Sequence, residues 1–67
     1  MSPAWWRGKV LKQIRQKRKL TQAALAEKVG VARVTIARLE IGDRNPSMDL
    51  LQRLAKALKV KVGELLE

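Results

Sequence analysis

The sequence contains no cysteine and no histidine, and it also lacks tyrosine and phenylalanine. Without thiols it cannot form disulfides or a thiolate metal site, and without imidazole only six scattered acids remain as metal ligands. Many of the side chains that serve as nucleophiles or general bases are therefore absent. The chain also has no glycine-rich phosphate loop, and its acids have no pairing pattern. We therefore expect no metal, no cofactor and no catalytic activity.

Long apolar runs are absent as well. No stretch approaches the roughly 20 apolar residues of a membrane-spanning helix, and none resembles the core of a signal peptide. A length of 67 residues is close to the lower limit at which one hydrophobic core holds a fold without disulfides or metals. The expectation is a single domain over residues 1–67, located in the cytoplasm.

Positive charge is abundant and unevenly placed. Fifteen Lys and Arg against six acids give a net charge of +9, and seven of these cations lie in residues 1–19, which contain no acid. The rest of the chain is close to balanced. Such asymmetry is typical of a protein that contacts a polyanion, either nucleic acid or an acidic membrane. A merely soluble surface would mix the two signs.

The stretch from Thr21 to Ile41 carries the strongest structural signal. It predicts two short helices joined by a tight turn at residues 29–31. Thr21 can cap the first helix, and Gly30 can adopt the left-handed backbone that ends it. Two helices joined in this way form a helix-turn-helix, whose second helix enters the DNA major groove. The alternative is an ordinary helical hairpin in a core.

The outer face of the second helix favours DNA binding over a plain hairpin. Ile36 and Leu39 are its core positions, at helical spacing. The face that these leave outside carries Arg33, Val34, Thr35, Ala37 and Arg38. Arginine is the usual bidentate partner of guanine, and an apolar side chain such as Val34 can contact a thymine methyl. Either arginine could instead bind phosphate, so the sequence leaves open which of them reads a base.

A first helix is predicted to precede this motif. Ser2-Pro3 is a helix-start signal, and the helix should run from Pro3 to Arg18. Its apolar stripe would comprise Trp6, Val10, Leu11 and Ile14. Trp5 would lie on the opposite, exposed side, where it could contact a partner or simply lie on the surface.

The start of the second helix is a candidate phosphate site. Helix N-termini attract anions through their free N–H groups and the helix dipole, so Thr21 and Gln22 could contact the DNA backbone. Lys17 and Lys19, just before them, would add electrostatic attraction. Gln22 could equally be a plain exposed helix former.

The C-terminal part predicts a loop and two more helices. The loop at residues 41–46 contains Arg44 and Asn45, which are placed to contact phosphates, and it ends at a proline. Ser47 then caps a fourth helix. A last short helix is expected over Val62–Leu66, although Lys61 is a poor cap for it.

Together these motifs resemble the phage repressor/Cro-like (Xre-type) helix-turn-helix family. The segments that carry the resemblance are Ile14-Arg15, Leu20–Val31, Thr35–Gly42, Arg44–Ser47 and Leu50–Val60. The resemblance implies an all-α, five-helix lambda-repressor-like DNA-binding domain with the helix-turn-helix at helices 2 and 3. It also implies a symmetric dimer on a palindromic operator.

The resemblance further implies roles for individual residues. Base contacts would come from Arg33, Val34 and Arg38. Backbone contacts would come from Gln22, Thr35, Arg44 and Asn45. Arg15 and Glu40 would form a partly buried ion pair, which makes Glu40 structural rather than catalytic. The sequence departs from the family pattern at Ala32, where a capping Ser or Thr is frequent, and at Lys59, where Gly commonly ends helix 4.

The leading interpretation is a sequence-specific transcriptional regulator, a repressor that binds double-stranded DNA as a homodimer and associates with the nucleoid when bound. The alternative is an antitoxin that binds a toxin or other protein partner and represses its own promoter, with Trp5, Leu65 and Leu66 as candidate interface residues. A membrane-surface role would need one helix with a wide apolar face, and the glycine-punctuated pattern of several helices argues against it.

Overall fold

A computed structural model describes residues 5–66. The helices are α1 (Gly8–Lys17), α2 (Gln22–Val29), α3 (Arg33–Glu40), α4 (Met48–Leu58) and α5 (Val62–Leu65). Over that range the only extended pairing is an isolated antiparallel bridge between Trp6 and Leu66. The predicted all-α fold with five helices is therefore confirmed.

The predicted start of the first helix is wrong. The sequence indicated a helix from Pro3 to Arg18, whereas α1 begins at Gly8 and ends at Lys17. Arg7 has an extended backbone (φ −124°, ψ 102°), and Trp6 lies in the bridge instead of on a helical stripe. The start signal at Ser2-Pro3 lies outside the described residues.

Packing against α3 explains the late start of α1. A Cβ atom at Gly8 would collide with the carbonyl oxygen of Leu39, so the chain passes directly over the end of α3. Trp6, 2% exposed, is inserted at the same place. Such contacts between distant parts of the chain override local helix propensity. Trp5 is 44% exposed, as expected, but it lies in a turn.

One hydrophobic core draws on every helix. Its members are Trp6, Leu11, Leu25, Ala26, Val29, Ile36, Leu39, Leu50, Leu51, Leu54, Ala55, Leu58 and Leu65. Ala26, 2% exposed, is the small residue that allows α2 to approach its neighbours closely. Leu65 is fully buried and Leu66 is half-buried, so the expectation that both offer a free protein interface is wrong.

Capping residues begin two of the helices where the sequence predicted them. The Thr21 hydroxyl accepts a hydrogen bond from the Ala24 N–H at 3.0 Å, and the Ser47 hydroxyl accepts from the Leu50 N–H at 3.1 Å. At the start of α5 the cap is different: the Glu64 carboxylate accepts a hydrogen bond from the backbone N–H of Lys61 at 2.7 Å.

Four helices end in the same left-handed turn. The residues with positive φ are Lys19 (58°), Gly30 (76°), Gly42 (79°) and Lys59 (58°). After α4, for example, the Lys59 N–H donates to the Lys56 carbonyl at 3.2 Å and the Val60 N–H to the Ala55 carbonyl at 3.0 Å. This is the Schellman arrangement, which satisfies carbonyls that a helix end leaves free. It forms after α1 and α4 although a lysine occupies the usual glycine position.

Candidate nucleic-acid interface

The exposed face of α3 carries the three residues predicted to contact bases. Arg33, Val34 and Arg38 are all exposed, with Val34 at 50%, whereas Ile36 and Leu39 on the opposite side are fully buried. Val34 and Arg38 are four residues apart and therefore lie one above the other on one face of the helix. That face combines an apolar side chain with a cation.

Thr35 does not belong to this exposed face. It is only 9% exposed, so its predicted position among the outer residues is wrong. The reason is helical geometry, because Thr35 lies one turn before the fully buried Leu39 and shares its side of α3. Any contact from Thr35 to DNA would have to use the small part of the residue that remains accessible.

A buried ion pair ties α1 to the last turn of α3. The Arg15 Nε atom lies 2.6 Å from Glu40 Oε2, and Arg15 Nη2 donates to Glu40 Oε1 at 3.1 Å. The side chains are 10% and 2% exposed, respectively. The remaining guanidinium nitrogen, Nη1, donates to the Leu20 carbonyl at 2.7 Å. Two parallel bonds between a guanidinium and a carboxylate fix the geometry as well as the charge.

Hydrogen bonds extend this ion pair to the surface. The Gln22 amide donates from Nε2 to Glu40 Oε1 at 3.0 Å, and its own carbonyl oxygen accepts from Arg33 Nη1 at 3.5 Å. Gln22 and Arg33, two predicted DNA contacts, are thus linked to each other and to the buried pair. Nothing in the sequence signals that Gln22 would contact Glu40, because the two are 18 positions apart and neither spacing nor residue type marks the pair.

The remaining residues that were predicted to contact the DNA backbone lie at helix ends and in a loop. Lys17 is the last residue of α1, Lys19 lies two positions further on, and Thr21 caps α2. Arg44 and Asn45 are exposed in the loop between α3 and α4. In the part of the chain that the structure describes, no side-chain hydrogen bond or ion pair engages Lys17, Lys19, Arg38 or Arg44. Arg18 differs, because its Nε donates to the Leu58 carbonyl at 2.8 Å.

The described residues contain neither a metal site nor a membrane-spanning helix. Across residues 5–66 no group of three or more His, Cys, Asp or Glu residues could hold a metal ion. The helices within that range are all too short or too polar to cross a membrane.

Comparison with known proteins identifies the family. Residues 11–65 match the helix-turn-helix family HTH_3. The chain belongs to this family. It is 43% identical over 56 residues to the immunity repressor of Bacillus phage phi105, of which it spans only 39%. It is 40% identical over 55 residues to an uncharacterized HTH-type transcriptional regulator of Archaeoglobus fulgidus, of which it spans 78%. These likenesses place the chain among DNA-binding transcription regulators.

Solved structures agree with the family assignment. The P22 c2 repressor in complex with a synthetic operator superimposes with a TM-score of 0.87 at 35% identity, covering 92% of this chain and 94% of that one. The restriction-modification controller protein C.AhdI of Aeromonas hydrophila gives a TM-score of 0.84 at 34% identity, covering 87% and 88%. The fold is therefore that of the lambda-repressor-like HTH_3 domains, with α2 and α3 as the helix-turn-helix.

Proposed function

We propose that this HTH_3 domain is a sequence-specific transcriptional repressor that binds a palindromic operator as a homodimer. In this proposal α3 lies in the major groove, where Arg38 and Val34 face the bases and Arg33 contacts them from the N-terminal end of the helix. The observation that carries it is the exposed pair Val34 and Arg38, one turn apart on the helix opposite the buried core.

Phosphate contacts would fix the position of the domain on the duplex. The proposed set is Lys17, Lys19, Thr21, Gln22, Arg44 and Asn45, with Thr35 at its edge. Support comes from the free backbone N–H groups at the start of α2 and from the exposed cations beside it. Such contacts carry no sequence information themselves, but they set the register in which α3 meets the bases.

The hydrogen-bonded link between Gln22 and Arg33 supports a pre-organised interface. Gln22 is held by Glu40 at 3.0 Å, and its carbonyl oxygen lies 3.5 Å from Arg33 Nη1, a long contact between exposed side chains that favours one direction of the guanidinium. A side chain that is already oriented loses less rotamer freedom when it binds. We therefore expect Arg33 to approach DNA in a defined direction and not as a freely moving charge.

Selection of binding sites from random duplex DNA tests the proposal. The purified protein should enrich a palindromic sequence, and two chains should bind each site, with half-site centres about 34–36 Å apart. Enrichment of a sequence without a repeat would contradict the dimer. Absence of any preferred sequence would contradict the proposed function as a whole.

Two substitutions separate base reading from phosphate binding. Arg38→Ala should weaken operator binding by about 1–3 kcal/mol and relax the preference at one base position of each half-site. Lys17→Ala should weaken binding to all sequences alike and reduce the slope of log affinity against log salt by about one. If Arg38→Ala lowers affinity for operator and random DNA equally, Arg38 does not read a base.

A further inference from the structure

The segment of residues 5–8, which we call the N-terminal strap, crosses the C-terminal end of α3. Trp6 is 2% exposed, and its indole Nε1 donates to the Leu39 carbonyl oxygen at 3.0 Å. Gly8 lies so close that a side chain there would collide with the carbonyls of Leu39 and Glu40. The backbone of the strap also forms the bridge to Leu66.

The strap lies before the segment that matches the family model. The family match covers residues 11–65, so Trp6 and Gly8 lie before it. Helix ends have carbonyls without intrahelical partners, and at the end of α3 the Leu39 carbonyl accepts from the Gly42 N–H at 3.3 Å as well as from Trp6. A buried hydrogen bond from a distant segment is thereby directed at the last turn of the helix proposed to read DNA.

We propose that Trp6 is a positioning residue for sequence recognition: its indole N–H and the close approach at Gly8 hold the C-terminal end of α3 at the angle required for base reading. The proposal rests on the proposed DNA-binding function. The last turn of α3 carries Arg38 on its outer side and Leu39 on its inner side. Displacement of the Leu39 carbonyl by a fraction of an ångström would therefore displace Arg38 too.

The geometric demand of base reading makes this displacement matter. Bidentate bonds from an arginine to guanine need donor–acceptor distances near 2.9 Å and good angles. Binding groups must be held to within about 0.5 Å of the productive geometry. Phosphate contacts from flexible lysines tolerate more movement. Loss of the Trp6 bond should therefore reduce discrimination between sequences more than it reduces affinity for DNA in general.

A variant that removes only the N–H group gives the sharpest test. Chemical synthesis of the 67-residue chain allows Trp6 to be replaced by 3-benzothienylalanine, which keeps the shape of the ring system but cannot donate. Trp6→Phe is the genetically encoded counterpart. The matched control is Gln52→Gly, an uncharged change at an exposed position within α4 that destabilises the fold through helix propensity alone.

The first measurement is the ratio of operator affinity to random-DNA affinity at fixed salt. The benzothienyl variant should lower this ratio by as much as about fivefold, the limit set by the net contribution of one hydrogen bond. Gln52→Gly should leave the ratio unchanged even if it lowers stability as much. Equal ratios for the wild-type chain and the benzothienyl variant would overturn the positioning role and leave Trp6 as core packing.

Amide hydrogen exchange provides a measurement that does not involve DNA. Without the indole donor, the amides in the last turn of α3 and in the turn after it should exchange faster relative to those of α4. In Gln52→Gly the effect should be confined to α4 or spread evenly. If exchange in the benzothienyl variant changes equally in α3 and α4, or does not change, Trp6 does not hold the end of α3 in place. If the wild-type chain showed no sequence preference at all, the proposed function would fail, and exchange would still decide whether Trp6 holds α3.

Discussion

Replacement of Glu40 by glutamine should destabilise the fold far more than its single charge suggests. Glu40 accepts two bonds from the Arg15 guanidinium and one from Gln22, and its side chain is only 2% exposed. Glutamine has nearly the same shape but carries no charge, and it presents an NH₂ group to one of these donors. The Arg15 side chain, 10% exposed, would then bury its guanidinium charge without a counter-ion.

The size of the effect follows from this burial. Removing one partner of a buried ion pair costs about 3–5 kcal/mol, whereas a domain is stabilised by only about 5–15 kcal/mol in total. For a domain of this size, 1 kcal/mol corresponds to about 4–8 °C, so Glu40→Gln should lower the melting temperature by about 12 °C or more. Removing both charges with Arg15→Met/Glu40→Leu should restore most of the loss, because no unpaired charge remains.

Urea denaturation followed by tryptophan fluorescence measures these free energies, since Trp6 is buried and becomes exposed on unfolding. The control is Asp49→Asn, which breaks the exposed pair with Arg53 (N–O distance 3.1 Å, side chains 73% and 55% exposed) and should cost less than about 1 kcal/mol. If Glu40→Gln costs no more than Asp49→Asn, or if the double variant is as unstable as the single one, the reasoning from burial is wrong.

Backbone geometry gives two further predictions, both measured by thermal unfolding. Lys59→Gly should raise the unfolding free energy by about 0.5–1 kcal/mol, because φ at this position is +58° and glycine adopts that conformation without strain. The control is Lys56→Gly within α4, which should lower the unfolding free energy by about 1 kcal/mol. Gly8→Ala should cost about 3 kcal/mol or more because its Cβ would meet backbone carbonyls, whereas Gly63→Ala, with open space around it, should stabilise α5 slightly. Equal effects of the two alanine substitutions would contradict the close approach at Gly8.

The features that the sequence predicted well are those encoded by neighbouring residues. The hydroxyl caps of Thr21 and Ser47 form as expected, and the turn at Gly30 has the left-handed conformation that its residue type favours. Each of these depends on contacts within about four positions along the chain. The core side of α3 followed from the spacing of Ile36 and Leu39, which are both fully buried.

The features that the sequence did not predict depend on contacts between distant segments. The helix signal before Gly8 gave no indication that α3, more than 30 residues away, would occupy the space beside it. Thr35 is an exception to this rule, because its position one turn before Leu39 already places it on the buried side of α3, although the sequence interpretation assigned it to the outer face. At Lys59 the absence of glycine put the turn in question, yet the two backbone hydrogen bonds that close it outweigh the strain.

Whether a substitution changes stability, DNA recognition or both should depend on which side of α3 the residue lies on. This helix has only eight residues, too few to be stable in isolation, so its neighbours impose its conformation and direction. Trp6 and Arg15 contact its last turn from the inside, and changes there should alter both the unfolding free energy and the choice of DNA sequence. Arg38 projects from the outside of the same turn, and over residues 5–66 its side chain has no hydrogen-bond or ion-pair partner. Its replacement by alanine should therefore change sequence preference while the unfolding free energy stays within about 0.5 kcal/mol of the wild-type value.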